Sequence, residues 1–176
     1  MNSGISKILV VNANLKWLSR VEHELYVKDD DFLMTQLTVV VGCWDKLNKD
    51  AKRIREQVFI QEQNIAVEDE WDAEDAVALH FIVYDQDQAI ATARLLKNNS
   101  IGRVAVLKSH RSLGVGKWLM QQIIQHAQDE KREFLKLSSQ VHAVQFYAAL
   151  GFKVAGEAYL DCGIPHMDMH VLLTHA

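Results

Sequence analysis

The chain has 176 residues, 49% of them hydrophobic and 24% charged, with a formal net charge of −4. That length fits one domain with a full hydrophobic core, and the negative balance excludes a nucleic-acid footprint spread over the whole surface. Cys43 and Cys162 stand far apart with no metal or redox spacing, no apolar run is long enough to span a bilayer, and the N-terminus lacks a full signal-peptide core, so the sequence reads as that of a cytoplasmic protein.

Residues 8–11 are apolar, and Leu15, Leu18, Val21 and Leu25 fall on one stripe of a helix. A polar link, Lys28 to Asp31, follows, so residues 1–33 read as an N-terminal extension, able to dock as a helix, on a domain spanning 34–176. Residues 34–41, MTQLTVVV, are a β-rich run. Residues 45–63 keep helical spacing through Leu47, Ala51, Ile54, Val58 and Phe59, with Asp45 as N-cap. An acidic loop, VEDEWDAEDAV at 67–77, comes next. The apolar runs 78–85 and 89–96 flank a polar tetrad and predict a hairpin, and 101–107 is a third strand in succession. Residues 115–128 predict a helix with Leu119, Ile123, Ile124 and Ala127 on one face. A short strand at 134–138 precedes a helix at 143–150 that Gly151 closes, and 152–160 and 166–173 form a last pair of strands. No internal repeat is present. This order predicts an α/β fold: a mixed, mostly antiparallel twisted sheet of about six to seven strands flanked by helices.

The stretch RSLGVGKWLM, 111–120, places two glycines between a strand and a helix. The first N–H groups of a helix have no partner inside it, and the helix dipole adds partial positive charge, so an anion suits the place. Lys108, His110, Arg111 and Lys117 surround it with cationic or protonatable groups. A P-loop would need Ser or Thr after Gly116-Lys117, where Trp118 stands, and a glycine where Arg111 stands. A dinucleotide fingerprint would need a third glycine at Leu119 and a place after the first strand of a parallel unit.

Coenzyme A is the third anion to consider. Residues 104–116, ending in Arg111-Ser-Leu-Gly-Val-Gly116, resemble the acyl-CoA motif Arg/Gln-x-x-Gly-x-Gly/Ala of the GNAT superfamily of N-acetyltransferases. Downstream, Ala143-Val-Gln-Phe-Tyr-Ala-Ala-Leu-Gly-Phe152 resembles that family's Ala-x-x-Phe/Leu-Tyr-x-x-x-Gly-Phe helix, one helix and one strand later. VFIQEQNI (58–65), the acidic loop ending at His80, IGRVAV (101–106) and GIPHMDM (163–169) are similar to the ElaA-like branch. One position departs: many relatives carry Asn where this chain has Gln140, which keeps the amide but is one methylene longer.

The resemblance implies a GNAT-like fold and direct transfer of an acetyl group from the co-substrate acetyl-CoA to a primary amine on a small molecule or peptide. The charge balance, the lack of a long apolar run and the ligand geometry lead to an expectation of no nucleic-acid, membrane or metal partner, and the resemblance is compatible with a homodimer. The donor would lie along Val104, Ala105 and Val106, where the strand splays from 134–138 and Val106 or a neighbour offers an N–H to the thioester oxygen. Arg111, Ser112, Leu113, Gly114, Val115, Gly116 and Lys117 would take the pyrophosphate, and Gln140, Ala143 and Phe146 would flank the pantetheine. Tyr147 would protonate the leaving thiolate; its competing reading is a core aromatic. Glu70, then Glu68 and Asp72, or His80, would deprotonate the amine, against a plain solvated acidic loop and an ordinary hydrogen-bonded histidine. His166, Asp168 and His170 alternate on one strand, where three side-by-side ligands converge poorly on a metal. Two other classes stay open: a non-catalytic CoA-binding domain on the same fold, and a nucleotide-binding switch, which Trp118 disfavours.

Overall fold

Runs of Val, Ile, Leu and Phe assemble into one eight-stranded sheet in the computed structural model, which describes residues 9–12 and 37–174. The strands are β1 (Leu9–Asn12), β2 (Leu37–Gly42), β3 (Leu79–Asp85), β4 (Gln88–Leu95), β5 (Ser100–Val106), β6 (Phe134–Gln140), β7 (Lys153–Asp161) and β8 (Ile164–Leu172). They lie in the order β1-β2-β3-β4-β5-β6-β8-β7, with β5–β6 parallel and every other neighbouring pair antiparallel. The six to seven expected strands correspond to β2 through β8. β1 adds an eighth at the edge, with Leu9 opposite Val41. The helical stripe expected at Leu15 to Leu25 lies outside the described residues.

Alternation along the strands feeds two cores. Phe81 and Val83 face α3 (Val115–Asp129), which buries Leu119, Met120, Ile123 and Ala127 on that side. Ile82, between them, faces α1 (Trp44–Arg55), which buries Leu47, Ala51 and Ile54 with Ala105 and Leu107. The helix expected at 45–63 has the right extent, but its second half, Glu56–Glu62, is wound as a π-helix. Its N-cap is Cys43 rather than Asp45, and no side chain caps it. Asp45 sits inside the first turn, where its charge complements the helix dipole without closing a cap.

α2 (Val67–Glu70) and a 3₁₀ turn (Ala73–Ala76) occupy the acidic segment. α4 (Val144–Ala148) is shorter than the helix expected at 143–150, because a 3₁₀ turn at Val141–Ala143 leads into it. Its end closes on Gly151 at φ 93°: Gly151 N–H bonds Ala148 O at 3.0 Å and Phe152 N–H bonds Tyr147 O at 3.1 Å. That is the paired closure a left-handed glycine permits. No helix among the described residues is long and apolar enough to cross a membrane.

Candidate functional site

The parallel pair at the centre of the sheet comes apart. β5 meets β6 only at Ser100↔Lys136 and Ile101↔Leu137, while β4 holds β5 on its other side as far as Ala91↔Val106. Between Thr92↔Ala105 and Arg94↔Gly102, two residues of β5 oppose one of β4, and Arg103 takes φ 52°. Such a bulge bends and twists its strand, which turns β5 away from β6 and opens a V. Leu107 N–H bonds Ile90 O at 2.9 Å. By strand alternation Val106 N–H therefore points away from β4, into the V. The Val106 carbonyl accepts a bond from Arg111 Nε at 2.9 Å.

A cleft of about 790 Å³ fills this V. Val104, Ala105 and Val106 form one wall. The glycine turn closes one end, with Arg111, Ser112, Gly114, Gly116 and Lys117 lining it. Ser112 at φ 62° and Gly114 at φ 81° bend the chain into α3. The first helical bond there runs from Trp118 N–H to Gly114 O, 2.9 Å, so the amides ahead of it have no helical acceptor. Gln140, Ala143, Phe146 and Tyr147 form the facing wall. Tyr147 stands edge-on between Phe146 and Phe152, with ring centroids at 4.9 and 6.0 Å. Its hydroxyl has no hydrogen-bond partner among the described residues, and burial pushes its pKa up to about 12.

The acidic segment is solvated only in part: Glu68, Asp69, Asp72 and Glu74 are exposed, but two of its carboxylates are not. Glu70 and Asp75 are 2% and 3% exposed, and three arginines from three elements neutralise the cluster. Arg55 of α1 reaches Glu70 Oε1 at 2.5 Å and Asp75 Oδ1 at 2.7 Å, and lies over the Trp71 ring. Arg94 of β4 grips Asp72 through Nη1 at 2.5 Å and Nη2 at 2.7 Å, and reaches Asp75 at 2.8 Å. Arg103, the bulge residue, meets Glu70 Oε2 at 3.0 Å and Asp72 at 3.2 Å. Burial raises the Glu70 pKa against the pull of Arg55 and Arg103. Burial acts the same way on Asp72, but the bonds and charge of Arg94 outweigh it and hold that carboxyl below its usual range. The network thus anchors the bulge that opens the cleft.

A model of the acetyltransferase (GNAT) domain matches residues 46–173, from the first turn of α1 to just past β8. The chain belongs to the GNAT acetyltransferase family. With that membership comes acyl transfer from a coenzyme A thioester to an acceptor. The chain is 39% identical over 137 residues to the uncharacterized N-acetyltransferase YjcF of Bacillus subtilis strain 168, covering 76% of this chain and 98% of YjcF. The crystal structure of an acyl-CoA N-acyltransferase from Pseudomonas aeruginosa matches with TM-score 0.69 and 28% identity over 77% of this chain and 99% of that one. Escherichia coli ElaA matches with TM-score 0.65 and 29% identity over 72% of this chain and 90% of its own, in line with the ElaA-like motifs.

Of the residues expected for the donor, eleven positions from Val104 to Phe146 line the GNAT cleft; Leu113 and Val115 do not. Leu113 is an exposed side chain and Val115 is buried in the core, so only their backbone amides can serve a ligand. Of the residues expected for acid–base work, Tyr147 and Glu70 line the cleft, and Glu68 and His80 do not. Glu68 is exposed. His80 is buried, hydrogen-bonded through Nε2 to Asp75 O at 2.9 Å and set against the Trp44 ring; burial holds its pKa down. Gln63 and Arg103, to which sequence reading assigned no role, also line the cleft, as does His166, which it offered only as one of three poorly converging metal ligands. The runs VFIQEQNI, IGRVAV and GIPHMDM each contain one of them, which was the available signal. A second hollow of about 430 Å³, between Trp44 and Trp71, shares no lining residue with the cleft.

The two glycines differ in what they tolerate. Gly114→Ala puts a side chain at φ 81° and should cost roughly 1–2 kcal/mol. That corresponds to a melting point about 2–8 °C lower. Gly116→Ala should leave it unchanged, because a Cβ there meets Phe146 Cζ at 3.5 Å and Val106 Cγ2 at 3.6 Å, ordinary contact distances. Thermal unfolding of the two variants checks this.

Proposed function

We propose that this GNAT protein transfers the acetyl group of acetyl-CoA directly to the primary amine of a small molecule or peptide. The observation that carries the reading is one cleft that joins the opened edge of β5, the amides at the start of α3 and the unpartnered hydroxyl of Tyr147. The names of YjcF and of the Pseudomonas protein support a CoA donor and a nitrogen acceptor.

In this reading the amides of Leu113 to Gly116, with Lys117, hold the pyrophosphate. The thioester oxygen accepts from Val106 N–H, which polarises the carbonyl and stabilises the charge that grows on it as the amine attacks. The C–N bond forms, the C–S bond breaks, and Tyr147 gives its proton to the departing sulfur. Asp69 and Asp161 line the cleft and lend it a negative rim that favours a cationic acceptor.

The amine must lose a proton. Glu70 suits this poorly, since both of its oxygens are taken by Arg55 and Arg103. His166 suits it better. Its Nδ1–H donates to Ile164 O at 2.8 Å, which leaves the Nε2 lone pair of the neutral ring to accept. The Tyr159 ring stacks beside it, held by Ser138 at 2.5 Å and Asp168 at 2.8 Å.

Calorimetric titration with acetyl-CoA, followed by thiol detection across a panel of amines, tests the reading. Saturable binding and amine-dependent CoA release are expected. His166→Gln should lower turnover roughly 100-fold near neutral pH, with the loss shrinking as rising pH deprotonates the free amine. No binding at millimolar acetyl-CoA refutes the proposal, and binding without transfer to any amine leaves a CoA-binding domain in its place.

A further inference from the structure

The pair Glu62-Gln63 in the run VFIQEQNI has no part in the transfer just described, yet it touches both walls of the cleft. Glu62 ends the π-helical stretch. Its carboxylate takes both guanidinium nitrogens of Arg111, Nη1 on Oε1 and Nη2 on Oε2, the latter at 2.7 Å. The third edge of the same guanidinium, Nε, donates to the Val106 carbonyl at 2.9 Å. The neighbouring Gln63 accepts from Gln140 Nε2 on the opposite wall at 2.9 Å.

This arrangement changes the meaning of Arg111. The motif reading gives it to the pyrophosphate. Here its Nε, Nη1 and Nη2 are all engaged by protein and its charge is neutralised by a carboxylate. That hydrogen bond and charge hold the Glu62 carboxyl below its ordinary pKa, and Lys108 adds to the effect, so it stays ionised. The side chains of the pair are 37% and 38% exposed, and ion pairs that open to water contribute little to folding. What the pair does fix is geometric. Val106 carries the N–H that faces the opened V, and its own carbonyl is clamped one bond network away from it.

We propose that Glu62 is a positioning residue for the thioester: it holds Arg111 on the Val106 carbonyl and so fixes the direction of the Val106 N–H. The inference rests on the acetyl-transfer reading above. Oxyanion donors act through placement, and a misplacement of about 1 Å costs on the order of 100-fold in rate. Arg is suited to the task because its planar fork spans an acceptor and a carboxylate at once, which a lysine ammonium cannot do.

The test uses the full chain with Glu62→Gln and Arg111→Lys, and acetyl-CoA carrying heavy carbon at the thioester carbonyl. Isotope-edited infrared spectra read the carbonyl stretch of the bound donor, independently of which amine accepts the group. The wild-type protein should shift that band to lower frequency. Both variants should lose most of the shift and roughly tenfold to 100-fold in turnover, with acetyl-CoA affinity changed less than about threefold and melting points within about 2 °C. If Glu62→Gln instead binds acetyl-CoA more tightly with the band unmoved, Arg111 is a phosphate ligand for which Glu62 competes, and the inference is overturned. Retention of the full shift in Arg111→Lys overturns it as well, and that variant keeps the question answerable should Glu62→Gln fail to fold. A wild-type protein that transfers acetyl groups without a displaced band overturns polarisation by the Val106 N–H, and this inference with it; a normal wild-type band that both variants keep overturns the inference alone, and a wild type that binds no acetyl-CoA overturns the transfer reading.

Discussion

Replacing Tyr147 with phenylalanine is expected to lower kcat by about 100-fold or more while leaving acetyl-CoA affinity within a few fold. The hydroxyl makes no hydrogen bond to the described residues, so its removal leaves no orphaned partner, and the ring contacts with Phe146 and Phe152 persist. Melting temperature should therefore hold, which separates a chemical role from a packing one. The pH dependence follows from the pKa of about 12 that burial gives this phenol. The useful form is the protonated one, and it stays fully populated until the pH approaches that value. Tyr147 should then contribute no falling limb to the kcat profile below about pH 10, and any rising limb near neutrality belongs to the group that takes the amine's proton. Steady-state kinetics of Tyr147→Phe from pH 6 to pH 10 reads all of this. A kcat within threefold of wild type would return Tyr147 to the role of a core aromatic.

Where the constraint is local, the sequence discloses it. Gly151 announces a left-handed helix end because a side chain is strained there, and the closure is found at φ 93°. The Arg111–Gly116 turn announces unpartnered amides because a strand and a helix flank it, and the cleft ends on it. Where the constraint joins distant residues, a pattern reading has no purchase. The run of acids at 67–77 looks solvated throughout, yet Arg55, Arg94 and Arg103 arrive from a helix and two strands to pair with Glu70 and Asp75, the two of its acids that are buried. Arg103 at the bulge bonds to that segment, so the side chains that meet where β5 leaves β6 lie about 30 residues apart in sequence. His80 opens a strand beside acids and so offers either a base or an ordinary hydrogen-bonded histidine; the structure has the second, with a backbone carbonyl as partner and the Trp44 ring against it, neither visible as a motif. Glu62 and Arg111, 49 positions apart, are of the same kind.

The largest stability effect should come from Arg55. It is 1% exposed, and it holds Glu70 and Asp75 by ion pairs of 2.5 and 2.7 Å and the Glu70 carbonyl at 2.9 Å. Without it Glu70 keeps only Arg103, and Asp75 only Arg94, as an ion-pair partner among the described residues, and breaking a buried pair costs about 3–5 kcal/mol. For a chain of this size that lowers the melting point by roughly 6–20 °C. Asp72→Asn is the contrast: its side chain is 35% exposed, so solvent shares its charge and the loss should stay near 1 kcal/mol. The pH dependence has a definite sign. Burial already raises the Glu70 pKa in the folded protein, and taking Arg55 away raises it further. A carboxyl whose folded pKa exceeds its unfolded value favours the folded state at low pH, and that advantage is lost as pH rises through the unfolded pKa and up to the folded one. Arg55→Ala should therefore show its smallest deficit in acid and its full deficit once the pH passes the raised Glu70 pKa. Because Glu70 also anchors Arg103, the variant should bind acetyl-CoA more weakly even at temperatures where it remains folded. Thermal unfolding at several pH values, paired with calorimetry, tests the connection. A melting point within about 2 °C of wild type would mean that Arg94 and Arg103 neutralise the buried carboxylates unaided, and that the bulge does not depend on α1.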